Sequence, residues 1–216
     1  MKFFRISTDE GKKKKFAYGI NLYEPMLQRI ECPVCNTTRN IPVDEDQNLR
    51  LALTNNHYPD FLGYIYYKMI SEKAAEVLKN ENVNGYLLSP VETVPLDAIT
   101  SEEKKEFRSF GNKVNKFATD PPTYHLLKVT GKAELHEKTN VIIEPCPSCG
   151  FAKIAEPGKN YFHPDSPFYI QRSSWDGSDF FVVPYFPFVY LCSQRFLEIY
   201  NKHHLSGLLF REVEGI

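Results

Sequence analysis

Two short segments, Cys32-Pro33-Val34-Cys35 and Cys146-Pro147-Ser148-Cys149, constrain this chain more than any other feature. A C-x-x-C turn places two sulfurs on one side of a tight loop, at a separation that fits two corners of a tetrahedron. Two such turns supply the four ligands of a structural zinc site. Gly150 follows the second turn and Asn36 the first. Both residue types tolerate a left-handed backbone, which turns the next amides back toward the sulfurs. The difficulty is distance along the chain. From Cys35 to Cys146 is 111 residues, whereas familiar zinc ribbons close within about 20. The fold must therefore carry two remote knuckles to one point. Two local disulfides, or a thioredoxin-like redox pair, are the competing readings. A redox pair wants a single C-x-x-C at a strand-to-helix junction, and neither segment has that context.

An internal similarity offers a way to bring the knuckles together. Residues 71–92 align without a gap on residues 193–214 at an offset of 122. Identities fall at Ser71/Ser193, Glu76/Glu198, Gly85/Gly207, Leu87/Leu209, Val91/Val213 and Glu92/Glu214. Ile70, Ala74, Val77 and Leu78 mark one face of a helix, and Cys192, Phe196, Ile199 and Tyr200 repeat that face. Ser71 and Ser193 are each placed to cap their helix. Gly85 and Gly207 then mark a turn into short apolar strands, Tyr86–Leu88 and Leu208–Phe210. Upstream of each helix lies an Asp-Phe pair, Asp60-Phe61 and Asp179-Phe180. The pattern predicts a duplication with repeats over 30–92 and 144–214. Two ordinary helix–strand units that match only in periodicity are the alternative. A pseudo-two-fold axis relating the repeats would set both knuckles beside one ion.

The remaining elements are coarser. Met1–Ser7 and Phe16–Tyr23 read as strands joined by a turn containing Lys12–Lys15, a run more typical of a solvated hairpin tip than of a nucleic-acid patch. Thr100-Ser101-Glu102-Glu103 is a capping-box pattern that opens a helix running to about Phe110. Tyr124–Thr130 and Val141–Glu144 read as strands leading into the second knuckle. With 216 residues, 42% of them hydrophobic, the chain can bury a sizeable core, and its 15 prolines argue for many short elements over long helices. The expected fold is α+β, one compact domain over 1–216 made of pseudo-symmetric duplicated halves joined by a four-cysteine zinc site with ribbon-like knuckles.

Composition also excludes several functions. A net charge of −1 provides no global field to recruit nucleic acid or an anionic membrane. The longest apolar run, Phe180–Leu191, contains Pro184 and Pro187 and falls short of the about 20 residues a membrane helix needs. The N-terminal segment is too broken by charge to be a signal-peptide core. A cytoplasmic protein is expected, and in that compartment cysteines serve as metal ligands or thiols. Cys192, in an apolar stretch, reads as an inert core thiol, and His203-His204 as a basic pair at a helix end. Phosphate-binding, dinucleotide, nucleophile-elbow and H-E-x-x-H signatures are all missing from the sequence. A zinc held by four cysteines has no open position for water and is a poor catalyst. The sole tryptophan lies in the acidic turn Trp175-Asp176-Gly177-Ser178-Asp179. It is either packed over the core or exposed as a contact hot spot.

The two knuckles, the Ser71–Gly85 segment, Trp175-Asp176-Gly177-Ser178-Asp179-Phe180 and the terminal Ser193–Glu214 unit together resemble the double-CXXCG motif family of bacterial polymorphic-toxin immunity proteins. Asn36 stands where the family pattern has glycine, a departure that the backbone tolerance of asparagine accommodates. The resemblance implies a non-enzymatic protein that binds and neutralises a cognate toxin encoded nearby. The one structural zinc on Cys32, Cys35, Cys146 and Cys149 would serve such a protein as a scaffold, and the anchor expected for the toxin contact is Trp175, flanked by Asp176 and Asp179, which suit a basic surface. Two other classes stay open: a zinc-ribbon module that binds nucleic acid or regulates, which predicts a basic face, and an enzyme whose site lies away from the zinc, which predicts a polar pocket of perturbed titratable groups.

Overall fold

A computed structural model describes residues 2–9, 16–17, 19–21, 27–42, 49–53, 56–64, 67–109, 119–139, 143–154, 168–184 and 186–216. The Lys12–Lys15 turn lies outside the described residues. In chain order the elements are β1 Phe3–Thr8, β2 Gly19–Asn21, β3 Leu27–Glu31, β4 Thr38–Pro42, β5 Arg50–Leu53, β6 Phe61–Tyr64, β7 Tyr67–Ser71, α1 Glu72–Asn80, β8 Tyr86–Val94, α2 Ser101–Ser109 and β9 Tyr124–Val129. There follow β10 Gly131–Lys132, β11 Glu134–Leu135, β12 Ile143–Pro145, β13 Ala152–Ile154, β14 Tyr169–Gln171, β15 Phe180–Val183, β16 Phe186–Ser193, α3 Gln194–Lys202 and β17 Leu208–Gly215. The class is α+β, strand-rich with few helices. The strands after the two glycines run on well past the short apolar cores that mark them in the sequence, to Val94 and Gly215.

Local chemistry explains the helices. Ser71 and Ser193 are extended, and each hydroxyl accepts from an amide three residues on, Ala74 at 3.2 Å and Phe196 at 3.2 Å. At the other end Asn82 and His204 take the left-handed conformation, with φ of 51° and 50°. Thr100 and Glu103 form the reciprocal capping box of α2: the Glu103 amide donates to Thr100 Oγ1 at 3.2 Å and the Thr100 amide to Glu103 Oε2 at 2.7 Å. Arg50 ties that helix to β5 through Glu103 at 2.9 Å.

Two large sheets carry the chain. One has the order β2-β5-β8-β9-β7-β6, the other β10-β15-β16-β1-β17-β14-β11. Apart from β10, their layouts match strand for strand. Tyr124 of β9 faces both Ser71 and Val91, just as Phe3 of β1 faces both Ser193 and Val213. Phe61 pairs Ile70 as Phe180 pairs Cys192. In the parallel ladders Arg50 stands beside Glu92 as Tyr169 stands beside Glu214. The N-terminal strand β1 thus sits between β16 and β17, from the far end of the chain, while β9 sits between β7 and β8.

Three large clusters, and a small one of Ala52, Val94 and Ile99, fill the interior among the described residues. Leu51, Leu53, Leu62, Met69, Val91, Tyr124 and Leu126 form one around the first sheet. Phe3, Phe168, Ile170, Phe181, Val183, Phe186, Leu191 and Val213 form its counterpart around the second. The largest cluster joins them: Phe4, Phe61, Ile70 and Phe180 from the strands meet Ala74 and Leu78 of α1 and Phe196, Ile199 and Tyr200 of α3. Burying an aromatic such as Phe196, which is fully enclosed, stabilises the fold by about 2–3 kcal/mol. Cys192 belongs to this cluster, and burial pushes its thiol well above the ordinary cysteine value. Among the described residues no helix is long and apolar enough to cross a membrane.

Candidate metal centre

Each knuckle is the tip of a small hairpin, β3–β4 for the first and β12–β13 for the second. Both tips are held by the same backbone bonds. The Cys32 amide donates to Thr37 O at 3.1 Å and the Asn36 amide to Cys32 O at 2.9 Å. In the second knuckle Cys146 N donates to Phe151 O, and Gly150 N to Cys146 O, both at 2.8 Å. Asn36 and Gly150 occupy the left-handed region, at φ 54° and 67°, as the turn requires.

The four sulfurs converge. All four Sγ atoms lie within 4.8 Å of one another, with Cys32 and Cys146 at 3.9 Å and Cys35 and Cys149 at 3.7 Å. For metal–sulfur bonds of about 2.3 Å, the edge of a regular S4 tetrahedron is about 3.8 Å, so the two cross-knuckle distances fit a four-thiolate shell. Cys32 and Cys146 are buried, Cys35 and Cys149 partly exposed, and none is in a disulfide. This group could hold a metal ion.

Electrostatics point the same way. The side chain and amide of Thr37 lower the Cys35 thiol to about 6. The amides of Cys35 and Val34 draw Cys32 down as well. At Cys149 the Phe151 amide pulls in that direction, but burial and three neighbouring sulfurs outweigh it and push the thiol up to about 11. Two thiolates in contact oppose the ionisation of a third, so a cation is what allows all four sulfurs to be anionic together.

Trp175, Asp176 and Asp179 lie elsewhere, in the loop before β15. Trp175 is half-buried, edge-on to Phe3 with ring centroids 5.1 Å apart and tilted against Phe181, while its indole N–H donates to Ser178 O at 2.9 Å. Asp176 is exposed, and its carboxylate accepts from the Lys132 amide at 2.8 Å and the Ser178 amide at 3.0 Å. Partial burial opposes its ionisation, but those bonds hold it below the usual carboxylate range. Asp179 is only 4% exposed. Its carboxylate accepts from Ser193 Oγ at 2.7 Å, from the Asn84 amide at 3.2 Å and from the Arg195 guanidinium. Its carboxylate is thus engaged within the fold. Its role is internal, and the reason is the position it shares with Asp60.

Asp60 makes the mirror-image set of bonds. Ser71 Oγ donates to it at 3.3 Å, and the amide and hydroxyl of Ser206 donate at 2.9 and 2.8 Å. The backbone follows suit: Phe61 N donates to Ser206 O at 2.9 Å, and Phe180 N to Asn84 O at 3.1 Å. Each carboxylate thus caps its own helix serine and clasps the loop behind the other helix. A Cβ at Gly85 would collide with the carbonyl oxygen of Phe180, and one at Gly207 with that of Phe61. The repeated Asp-Phe pairs were the sequence signal for this clasp. Asn84 and Ser206, which carry its other side, gave none because they differ in residue type. No family model matches the sequence, and no curated protein matches it.

Proposed function

We propose that the four cysteines hold one structural zinc ion and that the chain is an immunity protein, which neutralises a cognate toxin by binding it directly. The observation that carries the reading is the convergence of Cys32, Cys35, Cys146 and Cys149 from two remote hairpins, with all four Sγ atoms within 4.8 Å of one another. A shell closed by four sulfurs leaves no position for a reacting water, so the metal's part is to fix structure. The resemblance of the knuckles and of the two Ser-capped units to the double-CXXCG immunity family supplies the partner class.

The matched registers support an origin by duplication. One unit would run from β1 to β8 and the other from β9 to β17. In that reading β1 and β9 are equivalent, and each lies in the sheet of the other unit, so the units are interlocked by exchanged strands, by the Asp60 and Asp179 clasps and by the metal. Zinc then sets the relative position of two halves and presents a rigid surface at little ordering cost. Co-expression with the toxin encoded beside it, in a sensitive host, tests the function. The protein is expected to restore growth and to co-purify with the toxin. Absence of both rescue and binding would refute the immunity reading.

A further inference from the structure

A cavity of about 440 Å³ opens between the Trp175 loop and the first turn of α3, lined by Trp175, Gly177, Asn84, Gln194, Arg195 and Glu198, with Asp179 and Ser193. We propose that this cavity receives a cationic side chain, an arginine or lysine, presented by a protein partner. The proposal deepens the reading of the chain as a binding protein and rests on it for the partner, though not for the chemistry of the pocket.

The charge balance decides the sign of the ligand. Asp179 and Arg195 neutralise each other, and Arg195 is further held by the carbonyls of Glu81 and Asn82. That leaves Glu198 in the cavity wall. Its carboxylate is bonded to the neutral amide of Gln194 at 2.9 Å and has no cationic partner among the described residues. The α3 dipole offers about half a positive charge at its N-terminus, too little to balance that carboxylate. The indole supplies what a bare acidic surface lacks, an aromatic wall on which a guanidinium or ammonium group is stabilised, with space for its aliphatic stem.

A comparison within the molecule singles out this place. By strand register Trp175 corresponds to Asn56, Gly177 to Tyr58 and Gln194 to Glu72, whereas the frame is shared: Asp179 with Asp60, Ser193 with Ser71, Arg195 with Lys73 and Glu198 with Glu76. The second half alone carries an indole at this position. It also has a glycine whose outward side is open, with nothing within 4 Å of a Cβ placed there. The clasp needs neither feature, since Asp60 makes it without them.

Trp175 is the only tryptophan, so its fluorescence reports on the cavity directly. The probe is N-acetyl-L-arginine amide at millimolar concentration. Its controls are the neutral isostere N-acetyl-L-citrulline amide and the anionic N-acetyl-L-glutamate amide. Expected are a saturable change in Trp175 emission with the arginine probe, at least about fivefold weaker binding of citrulline, and a loss of several-fold in Glu198→Gln, whose metal content and unfolding midpoint stay as in the parent. Lysine amide is expected to bind by the same carboxylate. Equal binding of citrulline, preferential binding of the glutamate probe, no saturable change, or full arginine binding by Glu198→Gln would each overturn the proposal. None of these results bears on rescue from the toxin, so the two readings fail separately.

Discussion

Replacing Asp179 by alanine removes the centre of the clasp without touching the metal ligands. Ser193 Oγ, on a residue 2% exposed, loses its acceptor at 2.7 Å, and the Asn84 amide loses one at 3.2 Å. A buried donor left without a partner costs about 1–3 kcal/mol. The Ser193 hydroxyl is fully enclosed and belongs near the upper end of that range, whereas Asn84 is an exposed residue whose amide water can satisfy, so its loss adds little. The Arg195 side chain is 48% exposed, so its pairing is screened and adds only about 0.5 kcal/mol. The total is about 3–4 kcal/mol, a large share of the about 5–15 kcal/mol that holds a typical domain together. Urea unfolding followed by Trp175 emission measures it. Asp60→Ala is expected to cost a similar amount, because Asp60 serves Ser71 and Ser206 in the same way and its ion pair with the 60% exposed Lys73 is equally screened. Ser193→Ala combined with Asp179→Ala should cost less than the sum of the two, since each removes the same bond. A loss below about 1 kcal/mol in Asp179→Ala, or strict additivity with Ser193→Ala, would refute the clasp as a stabilising element.

Glycine substitutions separate close approach from backbone conformation. Gly207→Ala meets both a φ of +98° and the Phe61 carbonyl, so a loss of about 3 kcal/mol or more is expected; Gly177→Ala meets a φ of +87° in open space and is expected to cost about 1–2 kcal/mol. Equal losses in thermal unfolding would contradict the packing at Gly207. Glu81 bridges Lys202 at 2.7 Å and His203 at 2.6 Å, and those bonds hold its carboxylate below the ordinary glutamate value. Stability from a depressed carboxylate is present above its unfolded value and is lost as pH falls through the folded one. Glu81→Gln should therefore flatten the acid limb of a stability-against-pH curve and leave the neutral region nearly unchanged in slope.

Some of this was legible in the chain because it rests on local chemistry. The knuckles, the Ser71 and Ser193 caps, the Thr100–Glu103 box and the helical faces ending at Leu78 and Tyr200 each follow from residues a few positions apart. The placing of β1 between β16 and β17, and of β9 between β7 and β8, was not legible. Phe3 and Tyr124 are ordinary strand residues, and nothing near them says which distant strands they join. The internal bonds of Asp179 were hidden for a related reason. A Trp-Asp-Gly-Ser-Asp turn looks solvated, and the partners that draw its last carboxylate inside, Asn84 and Ser193, lie outside the turn. Trp175 likewise depends on Phe3, at the other end of the sequence.

Zinc-edge X-ray absorption on protein purified without metal-affinity resin shows whether one zinc ion sits in a shell of four cysteine sulfurs drawn from both hairpins. Expected are one zinc per chain, four sulfur neighbours at about 2.3 Å and no nitrogen or oxygen in the shell. Cys32→Ser and Cys146→Ser should each lose the metal and part of the fold, because binding energy at such a site is folding energy, whereas Cys192→Ser should keep the same spectrum. A folded chain without zinc whose five thiols all titrate freely, or a shell containing nitrogen or oxygen ligands, would refute the four-cysteine zinc site.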